Sequence, residues 1–111
     1  MLTSPLTQEI SQLHADFCSA LADPTRLLLL YALADGDSNV SDLASKLGIP
    51  QPTASRHLKI LRDHGLVEAS RRGMTVWYAL TDHRIIESLD LLRAVLRDRL
   101  ARRAGLVDSM K

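Results

Sequence analysis

Gln51-Pro52-Thr53-Ala54-Ser55-Arg56-His57-Leu58-Lys59-Ile60-Leu61-Arg62-Asp63-His64-Gly65 is the stretch that decides the fold. The spacing predicts a helix from about Gln51 to His64, closed by Gly65, a residue free to take the left-handed backbone of a helix exit. At about 100° per residue, Ala54, Leu58 and Leu61 cluster on one side, and Ser55, Arg56, Lys59 and Asp63 fall on the other. Such a helix buries an aliphatic side and turns a polar, basic side to solvent. Just upstream, Ser41 can cap a short helix carrying Leu43, Ala44 and Leu47, with Val40 outside it as a staple. Gly48 ends that helix and Ile49-Pro50 turns the chain. Just downstream, Leu66–Ser70 and Thr75–Leu80 read as two strands joined around Arg71-Arg72-Gly73-Met74, a β-hairpin. Helix, short turn, helix and hairpin in that order make a winged helix-turn-helix.

Further out, Ser4-Pro5 reads as a helix start, followed by Ile10, Leu13, Phe17 and Leu21 at helical spacing. Asp23-Pro24 repeats the signal. The run Leu27-Leu28-Leu29-Leu30-Tyr31-Ala32-Leu33 is apolar on all sides, which predicts a central, buried helix stopped by Asp35-Gly36. Thr81 can cap a last helix, over 82–103, whose stripe is Ile85, Leu89, Leu92, Leu96 and Leu100, with Gly105 beyond it. The expected fold is mainly α with a small β-hairpin, one domain over 1–111, and a homodimer through the first and last helices. The stripe has little left to cover in so small a domain, so Leu13, Phe17, Leu89, Leu92 and Leu96 are the candidate interface.

Composition agrees with this outline. The 111 residues are 46% hydrophobic and 24% charged, the balance of a globular chain. Aromatics are only 4%, so the core must be aliphatic, which favours helices. One cysteine, Cys18, excludes a disulfide framework within the chain and a multi-cysteine zinc finger. No apolar run approaches the ~20 residues of a membrane span, and the N-terminus has no secretory pattern, so the expected location is the cytoplasm. Charge is uneven. Residues 1–50 carry two basic against six acidic side chains, −4, and residues 51–111 carry twelve against seven, +5. That asymmetry suggests that one part meets a polyanion. A simple solvated face is the other reading.

A helix fits the major groove of DNA, where Gln, Arg and Lys read base edges. Gln51, Thr53, Ser55, Arg56 and Lys59 are suitable types at the N-terminal part of the second helix, the part aimed at the bases. Arg71 and Arg72 at the hairpin tip suit phosphates or the minor groove. His57 lies at the edge of the buried face, where a structural hydrogen bond is expected ahead of a DNA contact. His64 suits the helix C-terminus, and His14 the surface.

Ala22-Asp23-Pro24-Thr25-Arg26-Leu27, Val40-Ser41-Asp42-Leu43-Ala44, Gln51 through Leu61 and Gly65-Leu66-Val67 resemble the ArsR/SmtB family of bacterial winged-helix repressors. Arg72 through Thr81 is similar to that family's wing. The resemblance covers roughly residues 16–100. It implies a homodimer that binds operator DNA and releases it when a metal ion or another signal arrives. One departure is Pro50, where the family commonly has a capping Ser. The family's metal positions depart too. Where one site has cysteines, Ser38, Asn39, Val40 and Ser41 stand here. At the other, Asp82 and His83 are followed by Arg84 and Val95 at two His positions, and Asp98 is the only later match. A guanidinium cannot ligate, and two carboxylates beside it make a poor zinc site. Asp82 and Asp98 are expected to cap the helix or to pair with arginines. No metal and no cofactor is therefore expected. The family's two-cysteine sensing is excluded within one chain, since Tyr31 stands at the first position and the last helix has no thiol. Cys18, beside Phe17, is expected to be a small buried hydrophobe.

The leading function is a sequence-specific DNA-binding regulator, a repressor, on an inverted-repeat operator. The alternative within that class is a metal- or thiol-responsive sensor using Asp82, His83, Asp98 or Cys18. An enzyme is disfavoured, because no phosphate loop, nucleophile elbow, paired catalytic acids or metal motif is present. The third class, a winged-helix module without DNA binding, does not account for the basic face and Arg71-Arg72. The arginines of the last helix, Arg93, Arg97, Arg99, Arg102 and Arg103, read as a solubilising face or as extra phosphate contacts.

Overall fold

Asp23 shows how local chemistry sets the architecture. Its backbone is extended, its side-chain Oδ1 accepts the N–H groups of Thr25 and Arg26 at 2.8 and 3.2 Å, and Pro24 opens the helix behind it. The computed structural model describes residues 2–109, without the side chains of Leu13 and residues 106–109. A first helical stretch comprises α1 (Ser4–Glu9), a wide π turn (Ile10–His14) and α2 (Ala15–Ala20). Then follow α3 (Pro24–Ala34), β1 (Ser38–Asn39), α4 (Val40–Leu47), α5 (Gln51–Asp63), β2 (Val67–Arg72), β3 (Thr75–Leu80) and α6 (Arg84–Ser109). The strands form one antiparallel sheet in the order β1-β3-β2.

The core is aliphatic. Leu29, Leu30 and Leu33 of α3 meet Leu43 of α4, Leu58 and Leu61 of α5, Leu66 before the hairpin, Val67 and Leu80 at its base, and Leu89 of α6. Gly48 (φ +68) and Gly65 (φ +75) close α4 and α5 in the left-handed region that side chains rarely adopt. Leu66 N–H then reaches back to Leu61 O at 2.9 Å, so the hairpin leaves α5 at a fixed angle.

Several local expectations are corrected. Thr3, not Ser4, caps α1. Asn39, not Ser41, caps α4: its side-chain oxygen accepts Asp42 N–H at 2.9 Å, and Val40 is inside the helix. Thr81 does not cap α6, because its hydroxyl donates to Gly65 O at 2.7 Å; Asp82 caps instead, accepting Arg84 N–H at 2.9 Å. The last helix therefore starts at Arg84 rather than 82, and it runs through Gly105 to Ser109. Leu28 is 57% exposed, so α3 is not apolar-packed all round. β1 has no counterpart in the sequence reading: it pairs Ser38 with Tyr78 and Asn39 with Trp77. Cys18 is exposed rather than buried, since the first helical stretch covers only one side of itself with the domain.

Candidate nucleic-acid interface

The second helix of the turn, α5, is anchored by Ala54, Leu58 and Leu61, all at 0% exposure. That burial fixes which face remains outward. Pro50 precedes the helix in an extended conformation and offers no side-chain cap, which leaves the first N–H groups of α5 free of an internal acceptor. Gln51 is exposed and donates through Nε2 to Ser41 Oγ at 3.2 Å, so the head of α5 is tied to α4 across the turn. Ser55, Arg56 and Lys59 are exposed, and Thr53 is half-buried. Lys59 Nζ lies 2.9 Å from Asp63, one turn on, an exposed pair that adds little stability but orients the ammonium. That ammonium is also the main reason the Asp63 carboxyl ionises below its ordinary value.

Ser55, Arg56 and Lys59 border a cleft of about 490 Å³, together with Pro52, Arg62 and Tyr78. Arg62 and Tyr78 are additions to the sequence reading. Arg62 carried a signal, because it is three residues beyond Lys59 on the same helical face. Tyr78 did not, since only the three-dimensional packing of β3 brings the wing beside α5.

The hairpin differs from its expected shape. Arg71 and Arg72 are the last two residues of β2, paired with Val76 and Thr75, and the turn is Gly73-Met74 alone. Gly73 has φ +64, which the two-residue turn requires, and Met74 at the tip is 96% exposed. Successive strand residues point to opposite faces. Arg72 donates to Asp37 at 2.7 Å and its guanidinium lies 4.9 Å from the Trp77 ring centre. Arg71 is exposed, with no ion pair among the described residues.

At the other end of the molecule, α6 leaves Leu91, Leu92, Val95, Leu96 and Leu100 exposed, and Phe17 and Ile10 are exposed on the first helical stretch. Leu89 is buried in this chain's own core, so it is not part of the free apolar face expected of it. Leu13 lies outside the described side chains.

The sequence and the fold are similar to those of known proteins. A family model described as bacterial regulatory protein, arsR family, matches residues 23–69. The HTH-type transcriptional regulator NmtR of Mycobacterium tuberculosis is 36% identical over 88 residues, covering 79% of this chain and 73% of that protein. The chain belongs to the ArsR/SmtB family. A transcriptional repressor SmtB homolog of Synechocystis is 42% identical over 76 residues, or 68% of this chain and 58% of that protein. A solution structure of a homodimeric winged helix-turn-helix DNA-binding domain, from a possible ArsR-family regulator of Mycobacterium bovis, superposes with TM-score 0.76. It is 31% identical and covers 88% of this chain and 91% of that one.

Asp82 is held by Arg84, whose Nη2 lies 2.6 Å from Oδ2 and whose Nε lies 3.0 and 3.1 Å from the two oxygens. That side-chain bond, with the Arg84 backbone N–H, lowers the Asp82 carboxyl to about 2. His83 and Asp98 are exposed, and among the described residues of one chain no three His, Cys, Asp or Glu side chains converge on one point. The guanidinium of Arg84 occupies both carboxylate oxygens of Asp82. Asp82, Arg84, Ile85 and Ser88 instead face His14, Phe17 and Cys18 across a cleft of about 830 Å³.

Proposed function

We propose that this chain is a transcriptional repressor that binds an inverted-repeat operator as a homodimer. One observation carries the reading: α5 buries Ala54, Leu58 and Leu61 completely while Ser55, Arg56 and Lys59 line an open, basic cleft beside the wing. Gln51, Thr53, Ser55, Arg56 and Lys59 read bases or hold the adjoining phosphates, and Arg71 reaches the backbone at the flank. Arg72, paired with Asp37 and stacked on Trp77, braces the same hairpin. The dimer forms through Leu92, Leu96 and Phe17, with Leu89 fixing α6 to the core and Leu13 adding to the first helix. The two recognition helices then stand about 34 Å apart, one turn of DNA. The protein acts in the cytoplasm, on DNA, and not as an enzyme. Selection of bound fragments from genomic DNA, followed by gel shift, tests this. An enriched imperfect palindrome supports it, and Arg56→Ala is expected to lose roughly 1–3 kcal/mol on that site. Recovery of no common sequence overturns it.

Release by a metal at the family's positions is disfavoured by the Asp82–Arg84 pair. A second reading, release by thiol oxidation, is favoured by the exposure of Cys18. Operator release by Zn²⁺ or by diamide, compared in Asp82→Ala and Cys18→Ser, separates these cases.

A further inference from the structure

His57 is the one buried polar residue among the described side chains, at 9% exposure, and it sits on the recognition helix. Its Nδ1 lies 3.3 Å from Arg26 Nη1. The same guanidinium donates through Nε to Ala20 O at 2.6 Å and through Nη2 to Ser19 O at 3.3 Å. Those carbonyls end α2, and Ser19 O also accepts the Ala22 N–H at 3.3 Å. Arg26 itself is anchored in the first turn of α3, where Asp23 accepts its backbone N–H. One side chain thus joins the end of the first helical stretch, the start of α3 and the middle of α5.

A guanidinium has only donors. In this contact the guanidinium donates and His57 Nδ1 accepts. The charged groups that face His57 are Arg26 and the Asp23 carboxylate at the head of α3, while α2 contributes carbonyls alone. His64 is at the far end of α5, occupied with Ile60 O.

We propose that Arg26, acting through His57, is a positioning residue that sets the angle of the recognition helix for base reading. The proposal rests on the DNA-binding reading above. Apolar packing holds α5 against the core but is not directional. The Arg26–His57 bond is directional, and it fixes the roll of α5 on which base-edge hydrogen bonds depend. Phosphate attraction depends far less on that roll, so loss of the bond removes specificity and leaves non-specific affinity.

The test uses the full chain, the palindrome selected by the wild type and a scrambled duplex of equal length. His57→Leu keeps volume without an acceptor. His57→Asn keeps an acceptor near Nδ1. His57→Leu is expected to lose roughly tenfold or more on the palindrome, the scale of a hydrogen bond to a charged group. It should keep its affinity for the scrambled duplex, and His57→Asn should stay near the wild type on both. An unchanged ratio of specific to non-specific affinity in His57→Leu, or a His57→Asn that loses as much as His57→Leu, overturns the proposal. Should His57→Leu not fold, Arg26→Lys, which keeps the charge at the head of α3 without the planar fork, is measured in its place, and an unchanged ratio there overturns the proposal. A wild type that selects no palindrome overturns the DNA-binding reading and this proposal with it, which sets that failure apart from the others.

Discussion

Arg71 and Arg72 are adjacent and identical in kind, yet the fold gives them different surroundings. Asp37 already neutralises Arg72, while Arg71 faces solvent without an ion pair among the described residues. Arg71→Ala should therefore lower the salt dependence of DNA binding by about 0.9 in the log–log slope, the share of one phosphate contact. Arg72→Ala should leave the slope nearly unchanged; equal losses in both would show that Asp37 gives up its partner to DNA. Asp82 supplies a second test at this scale. Its folded-state ionisation is at about 2 against an ordinary 3.8. The unfolded chain therefore binds the proton more tightly, and the stabilisation is complete above pH 3.8 and lost as pH falls toward 2. Urea unfolding of wild type and Asp82→Asn between about pH 5 and pH 2 should show a steeper decline in the wild type; parallel curves would rule the pair out as a contributor. Both partnerships show what one sequence hides. Asp82 and Arg84 are two residues apart, and pairing of Asp82 with an arginine was legible. Asp37 and Arg72 are 35 apart, and nothing local links them.

At the scale of elements, the helices were legible because their signals are short-range. Asp23-Pro24, Gly48 and Gly65 mark boundaries that depend on a few neighbouring atoms, and the Ala54, Leu58, Leu61 stripe gave the buried face of α5 directly. The caps of α4 and α6 were misplaced by two residues and one. Several Ser, Thr, Asn and Asp side chains stood near each start, and only tertiary context decides which is free to cap. Thr81 was engaged by the Gly65 and Leu66 carbonyls, so it was not free. The two choices for α4 have different consequences. Asn39→Ala should cost about 1 kcal/mol in thermal or urea unfolding. Ser41→Ala should cost little stability, but it releases Gln51 and should alter preference at the base that Gln51 approaches. The reverse pattern would restore Ser41 as the cap. β1 was illegible because a strand of two residues has no period to detect, and the π turn at Ile10–His14 has no residue type that marks it.

Across the whole molecule, a compact chain of this length has a radius of gyration of about 13 Å, and this one has 17.5 Å, with extents of 60 × 42 × 21 Å. The excess comes with α6, whose 26 residues run about 39 Å. Beyond Leu89 it carries Leu92, Leu96 and Leu100 into solvent. A second copy covers this face most economically, so sedimentation at micromolar concentration should show a dimer, and Leu92→Glu or Leu96→Glu should show monomer or unfolded chain. A folded wild-type monomer would contradict the interface. The sequence indicated the stripe but misassigned Leu89, which faces inward, because a single helical period cannot tell which end of a long helix the domain covers. The wing has a different consequence, an optical one. Trp77 is the chain's one tryptophan, and it lies under the Arg72 guanidinium at the root of the hairpin. Indole emission therefore arises from the wing alone, so excitation near the red edge of absorption follows that hairpin as it meets DNA, without any attached dye and with two equivalent reporters in each dimer.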